Sequence, residues 1–131
     1  MIVYIFGNLD LPMDALPLRL VPKLRVKFPH VTFEVKDPNE EWDVPEKLIV
    51  IDTVKGIDEV KEFHGLDSFA NAPRISMHDF DALMQLRLLQ KLGKLKEVTI
   101  IGVPSDSGEE KAYTDITAML LRVLELHGIL T

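Results

Sequence analysis

The order of hydrophobic and polar positions along the chain alternates between two kinds of segment. Residues 2–6 (IVYIF), 48–51 (LIVI) and 98–103 (VTIIGV) are almost unbroken apolar runs. Such runs read as strands buried on both faces, because a strand with one wet face would alternate. Residues 31–35 (VTFEV) do alternate and predict a further strand, and 58–64 (DEVKEFH) a shorter, partly exposed one. Between them lie patterns at helical spacing. From about Met13 to Phe28, Leu20, Leu24 and Phe28 share one stripe with Val21 beside them. Pro17 falls in the tolerant first turn of this helix, whereas Pro22 is inside it and should kink or break it. A second helix is opened by RISMHDFDAL (residues 74–83), runs to about Leu92 and stops at Gly93, with Lys91 and Lys94 near its negative end. A third starts near Ser107, whose spacing to Glu110 fits a capping box. It points Ile116, Met119, Val123 and Leu126 inward and ends before Gly128.

Strands alternating with helices predict an α/β fold. We expect a single domain over 1–131, with a mostly parallel twisted sheet of about five strands and helices on both faces. In such sheets ligands gather outside the carboxyl ends of the strands, where the strand order switches. The polar residues just after buried runs are therefore the ones to weigh. Asp14 follows the first strand and its Gly7-Asn8 turn, Asp52 ends LIVI, and His78 opens the second helix. Each also has a plain structural reading. Asp14 can cap a helix, Asp52 can form an Asx turn, and Ser76 with Asp79 fits a capping box that leaves His78 idle in the first turn. If the three met at one rim, two carboxylates and an imidazole would make a donor set suited to a borderline divalent ion such as nickel or zinc. His30, His64 and His127 are weaker candidates.

Composition narrows the chemistry. The chain has 131 residues and no cysteine, so it has no disulfides, thiolate nucleophile or Cys-based metal site. A net charge of −6 argues against a nucleic-acid partner, and Lys23, Arg25 and Lys27 read as a solvated helix face. No apolar run approaches ~20 residues and the first residues lack signal-peptide character, so we expect a cytoplasmic protein without a membrane partner. Phosphate loops, dinucleotide fingerprints, nucleophile elbows and H-E-x-x-H are all missing.

Four segments in order resemble the nickel–iron hydrogenase maturation endopeptidases, which trim the C-terminus of a hydrogenase large subunit. IVYIFGNLDLPMD is similar to that family's first strand, GN turn and acidic helix start, and KLIVIDT to its third strand. RISMHDFDALMQL resembles its S-x-H helix start, and VTIIGVPSDS the strand and loop that follow. The resemblance implies that Asp14, Asp52 and His78 bind nickel and serve cleavage. The nickel would be supplied by the substrate, a nickel-loaded hydrogenase large-subunit precursor. Hydrolysis would use water, activated by the metal or by a carboxylate base. The chain departs from the family at Met13, where many relatives are acidic, at Pro17, where glycine is usual, and at Lys36–Asn39, where a D-G motif is missing. Two other classes stay open on the residues alone: a non-catalytic nickel- or precursor-binding protein on the same fold, and an unrelated α/β enzyme with a small ligand at the rim.

Overall fold

The computed structural model describes residues 1–7, 15–37, 40, 42–70 and 77–126, with the side chains of 69–70 and 77–80 left out of account. Its elements run β1 (Ile2–Phe6), α1 (Leu16–Lys27), β2 (Thr32–Lys36), β3 (Lys47–Val54), β4 (Lys61–His64), α2 (Leu66–Ala70), α3 (Met77–Lys91), β5 (Glu97–Pro104) and α4 (Glu109–Leu126). The five strands form one sheet in the order β2-β1-β3-β5-β4. Four are parallel, and β4 runs antiparallel along the outer side of β5. The expected α/β architecture is thus the observed one.

The two faces of the sheet follow from the two-residue period of a strand. Val3 and Ile5, Ile49 and Ile51, and Ile101 and Val103 face α1 and α4. Tyr4 and Phe6, Leu48, Val50 and Val54, and Val98 and Ile100 face the side covered by α3, Leu66 and Trp42. Both layers are closed to solvent, which is why the central strands read as apolar runs rather than alternating ones.

Several local expectations change. α1 continues through Pro22. That ring lies on the exposed face, while Leu20, Val21 and Leu24 are buried and hold the helix on either side of the missing N–H. β3 does not end at Asp52 but goes on to Val54, because its ladder with β5 continues through Asp52↔Gly102, Thr53↔Val103 and Val54↔Pro104. α4 opens with the Gly108 carbonyl accepting from the Ala112 N–H at 2.9 Å. The Ser107 hydroxyl donates to that same carbonyl at 3.4 Å instead of closing a capping box with Glu110. Within α4 the inward stripe is Ala112, Ile116, Leu120, Val123 and Leu124; Leu126 is exposed and Met119 only half-buried. Gly93 stops α3 as expected, with φ +76° and the Lys94 N–H donating to the Leu89 carbonyl at 3.0 Å. The strand expected over 58–64 is the edge strand Lys61–His64, fastened to α4 by the Arg122–Glu62 ion pair. The predicted cap by Ser76 and Asp79 lies outside what is described.

Tyr4 holds the far side of β1. Its ring is fully buried and its hydroxyl donates to the Asp43 carbonyl at 2.9 Å. Burial first, then the carboxylates of Glu34, Asp43 and Glu40, push the phenol from 10.0 up to about 12. The unfolded chain would ionise this tyrosine first. Its contribution to stability is therefore intact below the unfolded value near 10 and lost as pH rises through about 12. Tyr4→Phe should cost roughly 1 kcal/mol at neutral pH and flatten the decline in the urea midpoint over that alkaline window. An unchanged alkaline decline would contradict the assignment.

Candidate functional site

The chain leaves β1 toward β2 on one side and reaches β3 and β5 on the other, so strand order switches between β1 and β3. Asp52 stands at that switch. The last ladder pair between β1 and β3 is Ile5↔Ile51, and Asp52 follows immediately. It sits between Val50 and Val54 and so shares their face of the sheet, the one beneath α3. It is 2% exposed. A carboxylate in this setting is costly unless hydrogen bonds or a ligand compensate, whereas its neighbours on the stripe are apolar. Asp52 is a ladder residue within β3, not the Asx turn that its position after LIVI admits.

The partner of Asp52 in the register is Gly102, and this glycine has a reason to be there. A Cβ at 102 would lie 2.8 Å from Phe63 Cε2 and 2.9 Å from Val54 Cγ2. The Phe63 ring of the edge strand therefore occupies the space beside Asp52 that a side chain at 102 would fill. On the opposite face Thr53 is equally buried, and its hydroxyl has no hydrogen-bond partner among the described residues.

His78 reaches the same region through its helix. α3 ends next to the amino end of β3: the segment after it places the Lys96 and Glu97 N–H groups on the Glu46 carbonyl at 2.8 and 2.9 Å. The fifteen residues of α3 span about 22 Å at 1.5 Å each, close to the length of β3. The first turn of α3, with His78 as its second residue, thus lies at the carboxyl edge, on the Asp52 side of the sheet. The side chain of His78 lies outside the description. Asp14 also lies outside the described residues; it is bonded to Ala15, the buried residue that precedes α1. The structure thus describes Asp52 in full, His78 by its backbone, and Asp14 not at all. Among the described residues no three His, Asp or Glu side chains gather closely enough to hold a metal.

The remaining histidines are elsewhere. His30 is exposed near the amino edge, His64 pairs with Glu62 at 2.9 Å on β4, and His127 lies outside the description. Lys23, Arg25 and Lys27 are solvent-facing as expected, although Arg25 also donates to the Phe33 carbonyl at 3.0 Å. Two surface hollows among the described residues lie apart from Asp52. One of about 440 Å³ is lined by Glu59, Lys111, Asp115 and Arg122. Another, of about 550 Å³, lies at Trp42, Asp43, Glu46 and Lys94.

The sequence over residues 31–126 matches the family model HycI, hydrogenase maturation protease. The chain belongs to the hydrogenase maturation protease family. That match takes in Asp52 and His78 and begins after Asp14. The fold is shared with the hydrogenase maturating endopeptidase HybD from E. coli, at TM-score 0.70 and 19% identity over 97% of this chain and 93% of that one. It is shared also with a hydrogenase 3 maturation protease, at TM-score 0.55 and 17% identity over 79% and 72% of the two chains. An uncharacterized protein from Wolinella succinogenes aligns at TM-score 0.60 and 17% identity over 99% and 98%. No curated protein matches the sequence. Membership makes the protein a peptidase of the maturation class and sets aside the unrelated small-ligand enzyme. No helix among the described residues is long and apolar enough to cross a membrane.

The close packing at Gly102 yields a stability test. Gly102→Ala should destabilise the fold by about 1–3 kcal/mol, the usual cost of an added methyl in a filled core, read as a lower urea midpoint. A wild-type midpoint would show that Phe63 and β4 yield freely, and that the packing beside Asp52 is loose.

Proposed function

We infer that this protein removes the C-terminal extension of a nickel-loaded [NiFe] hydrogenase large-subunit precursor. Asp14, Asp52 and His78 engage the nickel that the precursor carries. Family membership supports the reaction class. The observation that carries the site is Asp52, a carboxylate buried in an apolar stripe at the switch point, on the side of the sheet where the first turn of α3 brings His78.

The donor set fits the cargo. Two carboxylates and an imidazole are borderline ligands of the kind that accept nickel, and the chain has no thiolate to compete for it. Because the nickel arrives with the substrate, its presence reports that the precursor is ready. The metal serves as a recognition element, and an empty precursor lacks the group that these side chains grip. The scissile amide is hydrolysed by water, since the chain lacks cysteine and no serine-elbow motif is present. A carboxylate held in a strand cannot drift with the loops, and this suits it to fixing the geometry of a bound metal or water.

Mass spectrometry of a precursor incubated with the protein tests the reading. Loss of a C-terminal peptide from the nickel-loaded precursor, and not from the nickel-free one, is the expected result. Asp14→Asn, Asp52→Asn and His78→Ala should each abolish trimming, while circular dichroism stays wild-type and unfolding shifts by no more than about 1 kcal/mol. Three variants that trim at wild-type rates would remove these residues from the site. Cleavage indifferent to nickel would overturn the recognition mechanism, and binding without cleavage would favour a non-catalytic binding protein.

A further inference from the structure

Thr53 is a second polar residue that β3 buries, and packing does not call for its hydroxyl. Along the face of β3 under α1 and α4 the side chains are Ile49, Ile51 and then Thr53, all closed to solvent. The hydroxyl has no hydrogen-bond partner among the described residues. A buried hydroxyl in that state costs stability, and valine would fill the same shape without the cost. The branched shape of threonine suits a strand, but its oxygen adds nothing to the fold. A threonine in a helix can turn to the carbonyl four residues back, as Thr114 does to Glu110 at 3.0 Å. Thr117, also without a partner, has that option within α4. A strand offers Thr53 no equivalent, because its carbonyls point sideways into the ladder.

The place of Thr53 in the sheet says what the oxygen can serve. The ladder between β1 and β3 stops at Ile5↔Ile51, while that between β3 and β5 goes on to Val54↔Pro104. From Asp52 onward β3 is paired on the β5 side, and the crevice of the switch point opens along its other side. Asp52 borders that crevice on the α3 face of the sheet, and Thr53, the next residue, on the α1 face. α1 starts at this carboxyl edge, because the chain that leaves it reaches the amino edge, where the Thr32 N–H donates to the Met1 carbonyl at 2.9 Å. α4 starts there too, after β5, and the Arg19–Glu109 pair at 2.6 Å ties the opening turns of the two helices together. The first turn of α1 holds no acidic side chain, and Ala15 at its N-cap makes no capping bond. The positive end of α1 and the Thr53 hydroxyl therefore lie on one face at one edge, both able to donate.

We propose that Thr53 holds the backbone of the precursor. Its hydroxyl, at the opening turn of α1, donates to a peptide carbonyl of the segment that accompanies the nickel. This rests on the reading that Asp52 engages that nickel. The metal then sits on the α3 side of the crevice and the peptide on the α1 side, and two adjacent strand residues fix one against the other. A peptide carbonyl matches the hydroxyl because it is an acceptor that every precursor residue carries, so the contact sets register without reading sequence. Asp52 and Thr53 are equally covered, at 2% exposure each. One displacement of what covers them admits both groups.

Thr53→Val and Thr53→Ser test the proposal. Without any precursor, Thr53→Val should raise the urea midpoint, since it removes a hydroxyl that the fold leaves unpaired. With nickel-loaded precursor the same variant should raise KM for trimming about tenfold and leave kcat within about twofold, the mark of a lost binding contact. Thr53→Ser keeps the oxygen and should restore KM, although loss of the buried methyl lowers its midpoint. Thr117→Val is the control, and its KM should stay at the wild-type value. A lower midpoint for Thr53→Val would give the hydroxyl a partner within the fold and overturn the proposal. So would a raised midpoint with unchanged KM, or a loss of kcat alone. Titration of the nickel-loaded precursor should rank the variants in the same order by Kd. That measurement separates a protein that binds without cutting, which would refute the peptidase reading, from one in which Thr53 has no part in binding.

Discussion

The ladder between β3 and β5 is the constraint on which the molecule depends. Eight consecutive parallel pairs run from Lys47↔Glu97 to Val54↔Pro104. Every residue of both strands beyond the first is buried. Parallel strands tolerate this only when helices cover both faces, so the ladder dictates α1 and α4 on one side and α3 on the other. It also fixes the level at which the sheet ends. Asp52 is part of this ladder, so its position is set by backbone pairing on the β5 side and by apolar packing above and below.

The edges are treated differently. β4 closes the β5 side in the antiparallel sense, with Phe63 turned in over Gly102 and Glu62 paired to Arg122 of α4. One small residue thus lets an edge strand approach the central ladder and wall in the carboxylate beside it. On the other flank β1 is anchored by Tyr4 bonded to the Asp43 carbonyl, and by Phe6 stacked on Trp42 at 5.2 Å between ring centroids. The candidate site stands between these two anchored flanks, where β1 gives way to β3.

Much of this was legible in the sequence because burial on both faces leaves an unmistakable apolar run. The ends of elements were less so, for physical reasons that can be named. Asp52 and Thr53 look like a strand terminus because polar residues usually mark one, yet ladder pairing with β5 carries the strand two residues past Asp52. Ser107 and Glu110 have the spacing of a capping box, but Gly108 takes the N-cap place. Pro22 resembles a breaker until its exposed position is known. The short helix α2 has too few residues for a period to appear. At the site, the residue types and the strand-end rule picked out Asp14, Asp52 and His78 singly. Whether they meet at one rim depends on strand order and helix direction, which no local pattern encodes. Resemblance to the family supplied that link in the sequence. The structure adds the placement of Asp52 and of the first turn of α3 on one side of the sheet.

The location of Asp52 within a strand also bears on how such a protein can diversify. Insertions or deletions between β1 and α1, or ahead of α3, leave in place a group whose coordinates are set by eight backbone pairs. Such changes would move Asp14 and His78 relative to Asp52, so partner preference and metal geometry would change together. For an engineer, this frame is a fixed socket to which new recognition segments can be fitted.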